Sequence, residues 1–481
     1  MPDSESTNHH SLPLCVDLDG TLLLTDSLWE SCLRLLGQKP YLLLLFPFWL
    51  LLGKAKFKYA ISQHVELDPE SLIYNSELLK YLSSEKLKGR QLFLVTAASN
   101  KIAESIANYL KIFDGVLSSD AQHNLSGKNK AKKLADMFGD KGFVYAGNAC
   151  IDLNVWKYSA AAIVVNAPGS LADKATKITS IEHTIPKHSS LSLKVFFKAI
   201  RVHQWAKNML IFTALILSHS WGKEAAIQSA IFAFISFSFA ASTIYLLNDL
   251  IDLEADRTHP SKKYRPFASG ILSLQWGVIL IPLLLLTSTI LALQVNTEFF
   301  HVLLIYVLLT TAYSLFLKPI ALLDVITLTS LYTLRIVAGT VAIGVPLSYW
   351  LLAFSMFIFL SLALIKRYSE LYNLIQAGNK KVSTRGYHTD DLSAISLFGI
   401  SSGYLSVMVL VLYIHDLQAD AHYSQPDWLW FVAVAVLYWV SRIWLLTHRG
   451  QMNEDPVYFA INDRASYLTS LVIVTSLFLA L

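Results

Sequence analysis

Cysteine is scarce in this sequence: Cys15, Cys32 and Cys150 are the only three in 481 residues. So few and so scattered, they exclude a disulfide framework and a zinc site, and they fit a reducing compartment. Charge is scarce too, at 15% against 54% apolar residues. That shortage is uneven. Residues 1 to about 190 mix charged and apolar side chains as a soluble domain does, whereas the remainder is built of apolar runs. At 481 residues the chain is too long for one typical domain. The net charge of +4 says little by itself, and no nucleic-acid partner is expected. The opening MPDSESTNHHSLPL lacks the basic-then-apolar order of a signal peptide. It reads as a disordered tail over residues 1–12.

Nine apolar segments follow residue 190, at about 208–221, 227–248, 271–294, 299–317, 320–343, 349–366, 392–414, 427–447 and 465–481. Most reach the length a helix needs to span a bilayer. Lys and Arg are absent from the segments at 295–298, 344–348 and 415–426, and Lys223 stands alone in another. The alternate segments are basic: Lys194, Lys198, Arg201 and Lys207; Arg257, Lys262, Lys263 and Arg265; Lys318; Lys366, Arg367, Lys380, Lys381 and Arg385; Arg442, Arg449 and Arg464. The positive-inside rule places those basic loops and the N-terminal part in the cytoplasm, with the C-terminus outside.

Acidic residues sit among the basic ones. The second apolar segment ends in NDLIDLEADRTHPSKKYRPFASG, where Asn248, Asp252 and Asp256 are spaced i, i+4, i+8. A continuing helix would stack them on one face. Oxygen donors so arranged repel one another unless a cation lies between them, and few carboxylates with room for phosphate suit Mg²⁺. Asp249 and Glu254 fall off that stripe and read as peripheral. Carboxylates abutting a membrane span are costly and usually functional, and the cations at 257–265 suit phosphates. Arg335 lies inside an apolar run, where a lone cation is costly; it either meets substrate or pairs with Asp324. Lys366 and Arg367, at a span end, either meet substrate or snorkel.

Nine spans with NDxxDxxxD after the second resemble the UbiA-type intramembrane prenyltransferases over residues 191–481. RVHQWAKN (201–208), NDLIDLEADRTHPSKKYRP (248–266), YSLFLKPIALLDV (313–325), Arg335 with Gly339, and KRYSEL (366–371) are similar to one branch, the polyprenyl-phosphate (decaprenyl-phosphate) phosphoribosyltransferases. The resemblance implies an enzyme of cell wall biosynthesis that transfers 5-phosphoribose from phosphoribosyl diphosphate to a polyprenyl phosphate. Mg²⁺ would sit on Asn248, Asp252 and Asp256. Substrate would meet Lys207, Lys262, Lys263, Arg265, Lys318, Asp324, Arg335, Lys366 and Arg367. The second DxxxD pair usual in prenyltransferases is missing, because Leu328 stands four residues after Asp324. That departure argues against a prenyl diphosphate donor with an aromatic acceptor. A non-catalytic membrane anchor is a further alternative.

Near the N-terminus, LPLCVDLDGTLL (13–24) reads as a short strand, two aspartates and a glycine turn. Asp17 at the strand end suits a carboxylate nucleophile, and Asp19, two residues on, an acid/base. QLFLVT ends at Thr96, Lys130 lies in GKNKAKKL, and GNACIDLNVW follows the strand FVYAG. Alternating strands and helices predict an α/β doubly wound domain with its site at the strand C-termini. The motif order resembles the haloacid dehalogenase (HAD) phosphatases. The resemblance implies that Asp17 is phosphorylated, Asp19 protonates the leaving oxygen, Thr96 and Lys130 hold phosphate, and Asp17 and Asp152 hold Mg²⁺. Lys128 is an alternative to Lys130, and Asn148 stands where Asp is usual.

The expected organisation is therefore a HAD-like phosphatase domain at 13–165 with a cap at about 27–88, a linker at 166–190, and a nine-helix transmembrane domain. Within the cap, YLLLLFPFWLLL (41–52) is apolar but too short to span, so it is either interfacial or a buried cap helix. The phosphatase would remove the 5-phosphate of the lipid product. The expected location is a bacterial-type plasma membrane.

Overall fold

The computed structural model describes residues 11–187, 192–376, 378, 385–417, 423–452 and 456–480. Residues 1–10 of the expected tail, together with Lys380 and Lys381, lie outside the described residues. The chain divides into two compact units, Met1–Ile200 with Tyr245–Ile281, and Arg201–Ile244 with Pro282–Leu481.

In the first unit, β1 (Leu14–Val16), β2 (Leu92–Ser99), β3 (Gly115–Ser119), β4 (Val144–Gly147), β5 (Ala161–Val165) and β6 (Ser180–Ile185) form one sheet in the order β3-β2-β1-β4-β5-β6. Every pairing is parallel. β1, β4 and β5 are buried along their whole length, as strands covered on both faces must be, which is why they read as continuous apolar runs. The strand order reverses between β1 and β4, and ligands of doubly wound sheets bind at that switch point.

Between β1 and β2 the chain is helical: α1 (Ser27–Gln38), a 3₁₀ turn (Pro40–Leu45), α2 (Phe46–Leu51), α3 (Lys54–His64) and α4 (Ser76–Leu87). Asp26 caps α1 by accepting from the N–H groups of Leu28 and Trp29 at 2.9 and 3.1 Å. α5 (Asn100–Leu110) and α6 (Lys128–Phe138) follow β2 and β3. The predicted linker at 166–190 is corrected here. Gly169–Thr176 is a helix, and β6 is an edge strand hydrogen-bonded to β5. Its edge position leaves it half-exposed, so it carries the polar composition of a connection.

Seven helices among the described residues are long and apolar enough to cross a membrane: Glu224–Ile251, Leu274–Val295, Thr297–Leu317, Leu323–Ile343, Tyr349–Gln376, Thr389–Asp416 and Pro426–His448. This is a multi-pass membrane protein. The nine expected spans reduce to these seven by length. Arg464–Ala480 is helical over only 17 residues. The expected span at 208–221 is divided into a 3₁₀ helix, Val202–Ile211, and a six-residue α-helix, Phe212–Leu217, with left-handed backbone at Arg201 and His219. Polar anchors within the second unit account for the break. The Trp205 indole donates to Ser242 Oγ at 3.0 Å, and the Asn208 amide donates to Ser238 Oγ at 3.0 Å.

Candidate active sites

Asp17 leaves the end of β1 at the switch point. Lys130, from α6, donates to Asp17 Oδ1 at 2.7 Å and to the Tyr145 hydroxyl at 2.9 Å. That hydroxyl donates to Asp152 Oδ1 at 3.2 Å, while Asp152 Oδ2 accepts from the backbone N–H groups of Asn148 and Ala149. One chain of bonds thus joins three of the residues expected from sequence. Lys130 rather than Lys128 makes this contact.

Asp19 accepts from the Ser27 N–H at 2.7 Å, the first residue of α1. Burial first, and then the charges of Asp26 and Asp17, push Asp19 up to about 7 against the opposing Ser27 hydrogen bond. A carboxyl there can carry a proton to a leaving oxygen. Thr96 is buried within β2, which runs on to Ser99 past the expected strand end, and its hydroxyl accepts from the Ala98 N–H at 2.9 Å. Gly20 holds φ at +74°, and the Asn148 amide packs where its Cβ would be. The positive φ is what favours glycine in the DLDG turn.

Two further residues belong here. Tyr145, in VYAG of β4, bridges Lys130 and Asp152. Lys58, from α3, donates to the Ala97 carbonyl at 2.9 Å, next to Thr96. Burial holds the Lys58 ammonium below its ordinary range, with Asp19 and Asp26 acting in the opposite sense. β4 reads as a continuous apolar run, so no pattern marked Tyr145. Nothing in the cap sequence pointed to Lys58, which reads as one of several lysines beside an apolar segment.

The acidic motif after the helix Glu224–Ile251 lies in the first unit. Helical hydrogen bonds continue through it, from Asp252 N to the Asn248 carbonyl at 2.9 Å and from Asp256 N to the Asp252 carbonyl at 2.8 Å. Backbone torsions at Asp252 leave the helical well, however, and the chain bends there. The expected face of Asn248, Asp252 and Asp256 is consequently corrected. Asp256 and Asp249 are buried together on Arg265, at 2.5 and 3.0 Å, whereas Asp252 is exposed. The i, i+7 spacing of Asp249 and Asp256, two turns apart on one face, was the missed signal, and Asp249 is buried with Asp256 rather than set at the periphery. Lys262 and Lys263 are exposed on the same loop, with the Lys263 ammonium 5.3 Å from the Tyr264 ring centre. Glu254 and Arg257 pair with Arg34 and Glu30 of α1, the latter pair at 2.6 Å.

Among the described residues no three His, Cys, Asp or Glu side chains converge as a ready-made metal cage. Mg²⁺ does not need one, since one or two carboxylates with substrate phosphates suffice. Two observations fit it. Asp249 and Asp256 bring two buried carboxylates together beside Arg265. Asp17 pushes the buried Asp152 up, to about 6, second only to burial itself; a cation between them relieves that opposition.

In the second unit, Asp324 is fully buried within a basic cluster. Arg367 Nε lies 2.6 Å from Asp324 Oδ2; Arg385 Nη1 is 3.3 Å and the Tyr313 hydroxyl 2.8 Å from Oδ1. Arg367 also pairs with Glu370, which Arg385 Nε approaches at 3.6 Å. Arg385 entered the sequence reading only as a basic loop residue, and its place here was not legible. Arg335 does not meet Asp324. Its guanidinium donates to Asn208 Oδ1 at 2.8 Å and to the Tyr306 hydroxyl at 3.2 Å, among the rings of Phe237, Tyr306 and Tyr332. The expected pairing with Asp324 is corrected by these contacts. Lys207, Lys318 and Lys366 are half-buried in the same unit.

A membrane-embedded helical part with an acidic, arginine-bound motif defines the class, and comparison with known families agrees. The chain belongs to the UbiA prenyltransferase family, whose model matches residues 209–463. An uncharacterized protein of Sinorhizobium fredii, y4nM, is 35% identical over 98% of this chain and 91% of its own length. Decaprenyl-phosphate phosphoribosyltransferase of Mycolicibacterium smegmatis is 37% identical over 38% of this chain and 59% of its own length. Among solved structures, a UbiA homolog from Archaeoglobus fulgidus bound to GPP and Mg²⁺ aligns with 60% of this chain and 98% of its own, at 16% identity and TM-score 0.46. A HAD family hydrolase of Salmonella enterica aligns with 38% of this chain and 71% of its own, at 17% identity and TM-score 0.28.

Proposed function

We propose that the membrane part transfers 5-phosphoribose from phosphoribosyl diphosphate to a polyprenyl phosphate, with Mg²⁺, and that the N-terminal domain is a phosphatase that removes the 5-phosphate of the lipid product. The observation that carries the transferase reading is the state of Asp324. It pairs with Arg367 and Arg385, which Glu370 also meets, and no carboxylate follows it at 328, where a prenyl diphosphate enzyme would complete a second DxxxD pair. The similarity to decaprenyl-phosphate phosphoribosyltransferases supports the same donor and acceptor.

Asn248, Asp249, Asp252 and Asp256 would hold Mg²⁺, which when bound supplies charge stabilisation for a diphosphate leaving group. The chain's own residues do the positioning. Lys262 and Lys263, with Arg265 behind them, present cations to diphosphate oxygens, and Lys207, Lys318 and Lys366 are the candidates for the lipid phosphate. That acceptor is already anionic and needs no general base, so alignment rather than proton transfer is what the protein contributes. C1 of the ribose loses diphosphate with oxocarbenium character while the lipid phosphate oxygen bonds to it.

In the N-terminal domain an Asp17 oxygen attacks phosphorus, the phosphorus–oxygen bond to the ribose breaks, and Asp19 gives its proton to the departing oxygen. Lys130 and Thr96 hold the phosphoryl group, and water then cleaves the aspartyl phosphate. Both chemistries would lie on the cytoplasmic side of the membrane, a reading the basic loops support.

The test is incorporation of ribose-labelled phosphoribosyl diphosphate into the lipid phase by purified protein with Mg²⁺ and a polyprenyl phosphate. Wild type is expected to label the lipid, and Asp252→Ala to lose at least about a hundredfold of that rate. No label from folded wild type would sink the phosphoribosyl donor. Full activity in Asp252→Ala would sink the acidic motif's role.

A further inference from the structure

We propose that the cap edge, residues 40–52, is seated in the surface of a lipid bilayer, so that the N-terminal site acts on a phosphate monoester borne by a lipid. The substrate half rests on the phosphatase reading above; the docking half does not.

The segment is exposed in a way a water-facing domain does not tolerate. Neither the 3₁₀ turn Pro40–Leu45 nor α2 contributes a buried residue. Tyr41 is 65% exposed, Leu44 77%, Phe48 65%, Leu51 85% and Leu52 60%, all within residues 41–52. Such a patch marks an interaction surface. The alternative of a buried cap helix is thereby excluded.

The partner follows from three observations. Gly37, just before the segment, packs on Ile251, the last residue of the apolar helix Glu224–Ile251. A Cβ on Gly37 would lie 3.1 Å from Ile251 Cγ2. The segment therefore starts where a membrane helix ends. Lys54 and Lys56 follow it and are exposed, as anionic headgroups favour. Lastly, Leu42 N bonds to the Lys39 carbonyl, Leu52 N to Phe48 and Gly53 N to Leu50. Internal pairing of that kind is what an apolar phase demands of backbone groups. A run of this length is too short to cross and lies in the interface.

The consequence for the site is geometric. After the turn at Gly53, α3 carries Lys58 one turn beyond Lys54, about 6 Å along the helix, to the Ala97 carbonyl beside Thr96. The mouth of the site is thus one helical turn from the apolar edge, within reach of a headgroup and remote from the needs of a freely soluble ester.

The test uses full-length protein carrying Cys32→Ser and Cys150→Ser, reconstituted in vesicles of phosphatidylcholine and phosphatidylglycerol. A spin label is placed at Leu51→Cys, or at Leu87→Cys, which is 91% exposed in the same unit and serves as the aqueous reference. The label at 51 is expected to collide with oxygen and to be shielded from a nickel chelate, with the opposite pattern at 87. Equal chelate access at both positions, or shielding at 51 from both reagents as a protein cover would give, overturns the docking. The Leu44→Glu/Leu51→Glu variant is expected to keep its activity on p-nitrophenyl phosphate. On a vesicle-borne polyprenyl phosphoribose 5-phosphate it should lose about tenfold. Equal activity of variant and wild type on both esters overturns the lipid substrate. If wild type cleaves neither ester, it is the phosphatase reading that fails, and the label at 51 still decides the docking.

Discussion

At the residue scale, Lys58 reaches from α3 to the Ala97 carbonyl beside Thr96. Asp17, Asp19, Lys130 and Asp152 were picked out by the order of their motifs along the chain, and the structure joins Asp17, Lys130 and Asp152 in one chain of bonds that includes Tyr145. Lys58 was invisible, because a cap lysine is recruited by tertiary folding and no local pattern marks it. Its ammonium beside Thr96 should help hold the substrate phosphate. Lys58→Ala is expected to raise KM for a phosphate monoester about tenfold, with kcat changed less than about threefold; steady-state kinetics decide, and an unchanged KM refutes the role. Arg335 is the opposite case. A cation in an apolar run suggests function, yet its donors are taken up by Asn208 and Tyr306.

Elements were legible in proportion to how far hydropathy alone determines them. Seven long helices were visible because bilayer length imposes an apolar run on each. The segment near 208–221 failed because hydrogen bonds from Trp205 and Asn208 break its helix, and such bonds are not a property of the run. β6 failed for a related reason: an edge strand may keep polar side chains, and SIEHTI shows its alternation only once β5 is there to pair with. Close packing explains one small residue. A Cβ on Gly339, in the helix Leu323–Ile343, would lie 2.1 Å from the Ile211 carbonyl oxygen. Gly339→Ala is therefore expected to cost roughly 1–3 kcal/mol through overpacking and to lower the melting temperature of detergent-solubilised protein. An unchanged melting temperature would contradict that contact.

For the whole molecule, the division into parts is not the one composition suggests. The soluble-looking N-terminal residues and the acidic motif at 248–256 fall within one compact unit. Inside it, α1 begins at Ser27, whose N–H holds Asp19, and further along carries Glu30 on Arg257 and Arg34 on Glu254. One helix thus touches the candidate phosphatase acid and the loop of the candidate diphosphate site, which suits two steps on one lipid. The most direct measurement of that account is the mass of the lipid product formed from phosphoribosyl diphosphate and a polyprenyl phosphate by wild type and by Asp17→Asn. The account predicts a polyprenyl phosphoribose without its 5-phosphate from wild type, and the same lipid with one phosphate more from Asp17→Asn. Identical products from the two proteins, or a product without ribose, would contradict it.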